Sequence, residues 1–214
     1  MSCCTPSGYR TIFGAKTAER EARRYRRKGL AGTARWLAEA LEGAGVTGRS
    51  VLEVGGGIGE IQLELLKAGA TRAVNVELAT QYETVASELI RAHGLEGSVE
   101  RRLGDFVRQA HGIDPAEVVV LHRVVCCYPD ADALVGSAAD RARRLLVLTF
   151  PVDRWWIRWG VAAANALLAL RGSTFRGYVH ATDAVRSAAE RHGLRTTQHR
   201  RGLIWQLLAF ERMG

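Results

Sequence analysis

From Ser50 onward, short apolar runs alternate with stretches in which apolar residues recur every three or four positions. The runs at residues 51–54, 73–76, 99–103, 118–124 and 145–150 predict strands, and helical periodicity fills residues 58–68, 79–93 and 130–142 between them. That rhythm implies right-handed crossovers and a mostly parallel sheet covered on both faces. Two helical segments precede it. One spans about residues 12–28 and ends near Gly29; the other carries Ala34, Leu37, Ala38 and Leu41 on one face and ends in a glycine-rich turn at residues 43–48. Beyond residue 150 the order changes. Residues 155–170 and 181–192 read as helices, and residues 196–200 and 203–211, divided by Gly202, read as an antiparallel pair closing one sheet edge. The expected fold is α/β, a doubly wound, mostly parallel seven-stranded sheet. Residues 1–48 form a helical arm or cap ahead of a domain at 49–214, with a helical lid inserted at about 152–180.

Composition narrows the class without changing that picture. The 214 residues are 47% hydrophobic with only four prolines and no repeat, which suits one folded core rather than a disordered chain. The first ten residues lack the basic start and apolar run of a secretory signal. The most apolar stretch, residues 155–170, contains Arg158 and Asn165 and is short for a membrane span. The cysteines form two adjacent pairs, Cys3 with Cys4 and Cys126 with Cys127, a usage that fits the reducing cytoplasm better than a disulfide scaffold. The net charge of +8 concentrates in the arm, where Arg10, Lys16, Arg20, Arg23, Arg24, Arg26, Arg27 and Lys28 face only Glu19 and Glu21. Such a stretch is either a solvated helix face or an attractor for an anionic substrate, an acidic membrane surface or nucleic acid.

The strongest chemical signal is VLEVGGGIGE, from Val51 to Glu60. A strand carrying Glu53 runs into Gly55, Gly57 and Gly59 and then into an amphipathic helix. Glycines allow a sharp strand-to-helix turn with backbone passing close under a ligand, and the helix start offers free N–H groups. Spacing separates the cofactors. A dinucleotide fingerprint G-x-G-x-x-G begun at Gly55 requires glycine where Glu60 stands; begun at Gly57 it requires glycine where Gln62 stands. An acid two residues before a G-x-G-x-G run is instead the pattern of class I S-adenosylmethionine methyltransferases. Two further strand ends agree. Glu77 closes the second strand, where a carboxylate can accept both ribose hydroxyls. After the third strand, Asp105 is placed to accept from an adenine amino group and Phe106 to cover the ring.

On these motifs the region from residue 50 to about 150 resembles the class I S-adenosylmethionine methyltransferases, whose Rossmann-like sheet ends in an antiparallel strand. The segment LHRVVCCYPD, from Leu121 to Asp130, together with the Arg/Tyr-rich first helix, looks more narrowly like the magnesium-protoporphyrin IX methyltransferases and their bacterial relatives. Those enzymes esterify a porphyrin propionate. In that family a histidine commonly precedes the Tyr-Pro pair; here Cys127 holds that position and the nearest histidine is His122. The resemblance implies S-adenosyl-L-methionine as cofactor and S-adenosyl-L-homocysteine as product. It puts Glu53, Gly55, Gly57 and Gly59 around the methionine part, Glu77 at the ribose, and Asp105 with Phe106 at the adenine.

The acceptor side is expected in the loop after the fourth strand, at the mouth of the sheet. His122 (a neighbour of the cofactor as well), Cys127 and Tyr128 are the catalytic candidates, with Cys126 beside them and Tyr9 from the arm; Tyr25 reads as an ordinary helix-face residue. A carboxylate acceptor needs no base, whereas a hydroxyl, amine or thiol does. Three tryptophans at 155, 156 and 159 beside Arg154, Arg158 and Arg171 suit a flat, apolar, anionic acceptor or a membrane interface, and His180 is placed to look into the same pocket. Four thiolates brought together by the arm can bind zinc, but zinc motifs space their cysteines by two or more residues, so no metal site is expected. The loop CCYP differs from the Asn/Asp-Pro-Pro-Tyr type of amine-modifying nucleic-acid enzymes, which argues for a small-molecule acceptor. Non-catalytic cofactor or metal binding is the other alternative.

Overall fold

The computed structural model describes residue 9 and residues 12–213. The strands are β1 (Ser50–Val54), β2 (Arg72–Glu77), β3 (Val99–Leu103), β4 (Ala116–His122), β5 (Ala142–Pro151), β6 (Leu194–Arg201) and β7 (Trp205–Arg212). They form one sheet in the order β3-β2-β1-β4-β5-β7-β6; β7 runs antiparallel to β5 and β6, and the other pairs are parallel. The helices are α1 (Ala15–Lys28), α2 (Thr33–Ala44), α3 (Glu60–Lys67), α4 (Glu83–Ala92), the short α5 (Phe106–Gln109), α6 (Ala131–Arg141), α7 (Trp155–Leu170) and α8 (Thr182–Glu190).

The central strands are apolar on both faces, and each face has its own core. On one, Val51, Val118, Val120, Val147 and Leu207 meet Leu37 and Leu41 of α2 and Ile61 and Leu65 of α3. On the other, Leu52, Leu121, Leu148, Phe150 and Phe210 meet Leu134 and Val135 of α6 and Val185 of α8. Alternation along β4, with Val118 and Val120 to one side and Val119 and Leu121 to the other, is the signature of a strand buried twice. A third cluster joins Ala18, Ala22 and Tyr25 of α1 to Val85, Leu89 and Ile90 of α4. The second leading helix is thus a layer of the sandwich, and α1 lies against the far side of the same layer.

Most expected elements stand where the pattern puts them, with shifted ends. The run expected as a strand over residues 118–124 stops at His122, because Arg123 takes φ 58° and a single 3₁₀ turn follows at Val125–Cys127. The fifth strand is longer than its apolar run and begins at Ala142, immediately after α6. The first helix starts at Ala15; ahead of it, Ile12 and Phe13 donate their N–H groups back to the carbonyl of Tyr9. Cys3, Cys4 and Arg10 lie outside the described residues. Strand order reverses between β1 and β4, and that crevice at their C-terminal ends is where open α/β sheets hold ligands.

Candidate functional site

A cavity of about 240 Å³ opens at this crevice, floored by the glycine turn and walled by Glu53, Glu77, His122, Arg123 and Cys127. Gly55, Gly57 and Gly59 all have positive φ, at 64°, 54° and 80°. The tightest position is one the alternating motif passes over: a Cβ on Gly56 would stand 2.1 Å from Asn75 Nδ2 and 2.6 Å from Glu53 Cδ. Any side chain there would displace both polar groups.

Two carboxylates are buried beside the turn. Glu77 holds one oxygen on the Gly57 N–H (2.8 Å) and the other on the Ala79 N–H (2.7 Å). Burial raises its pKa, against the pull of those N–H groups and of Arg101. Each oxygen retains a lone pair, so the group can accept from two neighbouring hydroxyls, as a ribose diol presents. Glu53 accepts from the Gln62 N–H (3.3 Å) and from Asn75 Nδ2 (3.2 Å) through a single oxygen. Desolvation pushes its pKa up to about 8, so without a cation beside it the carboxyl stays largely protonated at neutral pH. An ammonium group in the cavity would reverse that balance.

The opposite wall is built from residues distant in sequence. Arg123 donates through Nε to Thr33 Oγ1 (2.9 Å), and the same hydroxyl lies 2.9 Å from His122 Nε2. The backbone N–H of Arg123 is held by Thr149 Oγ1 at 3.1 Å, and its guanidinium lies 4.5 Å from the ring centre of Trp205. These bonds hold the left-handed backbone at Arg123, which is unfavourable for a residue with a Cβ. Burial, then the charges of Arg123 and Arg24, push His122 down to about 3, so its ring is neutral over the whole physiological range.

The arm covers the cavity. Tyr9 donates to the carbonyl of Cys127 (2.6 Å) and stacks on Phe13, and both rings meet Phe175 edge-on. From α1, Glu21 and Arg24 reach the cavity, with Arg24 3.5 Å from Glu60. Burial raises the pKa of both Glu21 and Glu60. Arg23 and Arg26 pair with Glu19 and Glu88, which reduces the free positive charge of the arm. Tyr25 points away, with its hydroxyl on Glu64 at 2.5 Å.

Three successive carbonyls of the loop after β4 are each taken by a different donor. Cys126 O accepts from the Tyr178 N–H (2.8 Å), Cys127 O from Tyr9, and Tyr128 O lies 2.9 Å from His180 Nε2. The side chains of this loop divide. Cys127 lines the cavity, whereas Tyr128 donates to Asp105 (3.2 and 3.3 Å to the two oxygens) and is not among the lining residues. Asp105 also caps α5 by accepting from the Val107 N–H, and Phe106 is buried in the core. Of the residues singled out in the sequence, the fold brings Glu53, Gly55, Gly57, Glu77, His122 and Cys127 around one cavity. Asp105, Phe106 and Tyr128 form a neighbouring cluster beyond it. Among the described residues, no group of three or more His, Cys, Asp or Glu side chains is arranged to hold a metal.

A second cavity, of about 300 Å³, shares Cys127 with the first. Cys126, Trp156, Ile157, Val161, Phe175 and Trp205 line most of it, and it contains no charged side chain. Arg123, stacked on Trp205, stands between the two. Sequence reasoning missed Thr33, Arg123, Glu21 and Gly56. Arg123 directly follows His122, so the switch from strand to turn was the signal available; Thr33 and Glu21 gave none.

No family model and no curated protein matches the sequence. Solved structures do. Magnesium protoporphyrin IX methyltransferase from Synechocystis PCC 6803, with bound SAH, superposes with a TM-score of 0.74 at 18% identity, over 96% of this chain and 98% of that one. An O-methyltransferase family protein from Burkholderia thailandensis gives 0.70 at 20% identity, over 92% and 58% of the two chains. A putative sarcosine dimethylglycine methyltransferase from Galdieria sulphuraria gives 0.67 at 15% identity, over 84% and 85%. The chain therefore has the class I methyltransferase fold, seven strands with the Rossmann-like order and an antiparallel β7. At these identities a likeness carries the fold, and the activity has to be argued from the site.

Proposed function

We propose that the protein is an S-adenosylmethionine-dependent methyltransferase acting on a small apolar acceptor that carries a carboxylate. The observation that carries this reading is that Cys127 lines two neighbouring cavities, one glycine-floored with charged walls, the other without a charged side chain. The residues of the first fit the cofactor. Glu77 presents lone pairs to a ribose diol, the turn from Gly55 to Gly59 admits close approach, and Glu53 with Glu21 suits the ammonium of a methionine moiety. Arg24 suits its carboxylate. Asp105 and Phe106, expected at the adenine, stand in the neighbouring cluster and do not line this cavity. The bound sulfonium supplies an activated methyl group, and the protein has to align the acceptor with it and exclude water, a contribution of roughly 7–11 kcal/mol in well-oriented systems.

The choice of a carboxylate acceptor follows from the lack of a suitable base among the expected catalytic residues. His122, at about 3, is a weak base, and the Tyr128 hydroxyl already donates to Asp105. A carboxylate arrives ionised and needs neither. His122, lining the first cavity, and Cys127, lining both, then act by position. The apolar body rests against Trp156, Phe175 and Trp205, and the anionic end finds Arg123 beside Trp205. A nucleic-acid acceptor is disfavoured by the loop CCYP at residues 126–129, which differs from the Asn/Asp-Pro-Pro-Tyr type. The adjacent cysteine pairs suit a reducing compartment, the cytoplasm.

The test is incubation with methyl-labelled S-adenosylmethionine and magnesium protoporphyrin IX, beside a fractionated bacterial small-molecule extract, with label located by mass spectrometry. Label in an ester of an apolar acid is the expected result. Label only on a nitrogen or on nucleic acid overturns the acceptor assignment, and binding without transfer overturns the enzymatic reading.

A further inference from the structure

Among the described residues, helix α7 departs from every other helix in having no buried residue. Ile157, Val161, Asn165 and Leu168 are half-buried on its inner face, and Asn165 clamps it by two 2.8 Å hydrogen bonds to the backbone of Gly177. The rest of the circumference faces outward and, apart from Arg158, is apolar. Trp155 is 70% exposed, Trp159 72% and Leu170 86%, with alanines between them. Beside the first turn, the tip of the hairpin joining β6 and β7 adds Leu203, 86% exposed, and Ile204. A contiguous apolar surface of this kind marks a contact. The helix is about 24 Å long, and no helix among the described residues is long and apolar enough to cross a membrane. The surface is therefore suited to lie on a bilayer, not to span it.

The charges around it choose the occupant. Arg154 precedes the helix, Arg158 sits in its first turn and Arg171 ends it; the helix itself contains no acid. The neighbouring Asp153 is already paired with Arg158 at 2.6 Å. Packing against the same helix of a second copy, parallel or antiparallel, would set these arginines against one another. An anionic headgroup layer meets Arg154 and Arg171 with opposite charge while tryptophan and leucine enter the acyl boundary. We infer that α7, with Leu203 and Ile204, docks this protein on an anionic membrane surface. The apolar cavity lies directly behind the docking face, because Trp156, Ile157, Gly160 and Val161 of α7 form one of its walls. On the methyltransferase reading, which this last step alone assumes, the acceptor is a lipid-dissolved acid that enters from the bilayer.

The experiment is co-flotation of the full chain with vesicles of phosphatidylcholine alone and of phosphatidylcholine with phosphatidylglycerol. The expected result is flotation on the anionic vesicles, weakened by salt, and at least about tenfold less on the neutral ones. The double substitution Trp155→Ser, Trp159→Ser should leave the melting temperature and S-adenosylmethionine binding unchanged while reducing flotation at least about tenfold. Failure to float on anionic vesicles, or flotation indifferent to the double substitution, overturns the docking surface. So does a dimer in sedimentation that the same substitutions convert to monomer, since the occupant would then be a second copy. Cofactor binding, measured on each variant, fails only if the methyltransferase reading fails, so the two ideas fall separately.

Discussion

Replacing Glu53 by glutamine should stabilise the folded chain at neutral pH and weaken cofactor binding in the same variant. Glu53 is 1% exposed, and burial sets its folded pKa near 8 against 4.5 in the unfolded chain. Below the lower value both states hold the proton and the residue contributes no pH-dependent difference. As pH rises from there towards 8, the unfolded chain ionises while the folded one resists, so stability is lost across that window and levels off above it. At pH 7 the two states differ by about 2.5 pKa units, or roughly 3 kcal/mol at 1.36 kcal/mol per unit. Glutamine matches the protonated carboxyl in shape, and its oxygen can accept from both Gln62 N–H and Asn75 Nδ2, as Glu53 does now. It carries no penalty of ionisation. Thermal melts should therefore place the variant roughly 6–12 °C above the parent near pH 7. Near pH 5 the gain should shrink to about 1 kcal/mol. Calorimetric titration with S-adenosylmethionine should show affinity reduced roughly ten- to a hundredfold, the worth of one charge-assisted bond to an ammonium group. An equal shift at both pH values, or a destabilised variant at pH 7, would refute the assignment of a protonated, desolvated Glu53.

Three further outcomes follow from the same geometry. Glu77→Ala removes the acceptor of the Gly57 and Ala79 N–H groups together with the proposed partner of the ribose, and should cost roughly a hundredfold in cofactor affinity; unchanged affinity in titration calorimetry would sink the ribose placement. With His122 pushed down to about 3, the pH profile of kcat/KM should show no imidazole limb above pH 5, and a limb that vanishes in His122→Gln would contradict the neutral ring. Tyr9→Phe loses the bond to the Cys127 carbonyl, worth about 1 kcal/mol. Its expected signature is faster limited proteolysis of the arm with little change in melting temperature, and an unaltered cleavage rate would show that this bond does not fasten the arm.

The elements of the sheet and the glycine turn could be read directly because their causes are local. Strand alternation, the 3.6-residue helical period and the need for positive φ at Gly55, Gly57 and Gly59 are properties of neighbouring residues. Glu53 and Glu77 were legible for the same reason, since each lies on a strand leading to the crevice. Their chemistry was not. That Glu53 is driven to hold a proton depends on how completely α3 and β2 close over it, and no pattern in ten residues records that.

By itself, the sequence determined the order of strands and helices, the turn that floors the cavity and the carboxylates beside it. Tertiary structure decided which other residues join them. Thr33 reaches His122 across 89 positions and Tyr9 reaches Cys127 across 118. Asp105, by contrast, is drawn off towards Tyr128 although both stand at strand ends pointing to the same mouth. It also decided that α2 is a layer of the core while α7 keeps an apolar face outside it. Both are helices by the same periodicity. Whether an apolar face is covered depends on the shape and position of the surface opposite, and that surface is assembled from segments far apart in the chain.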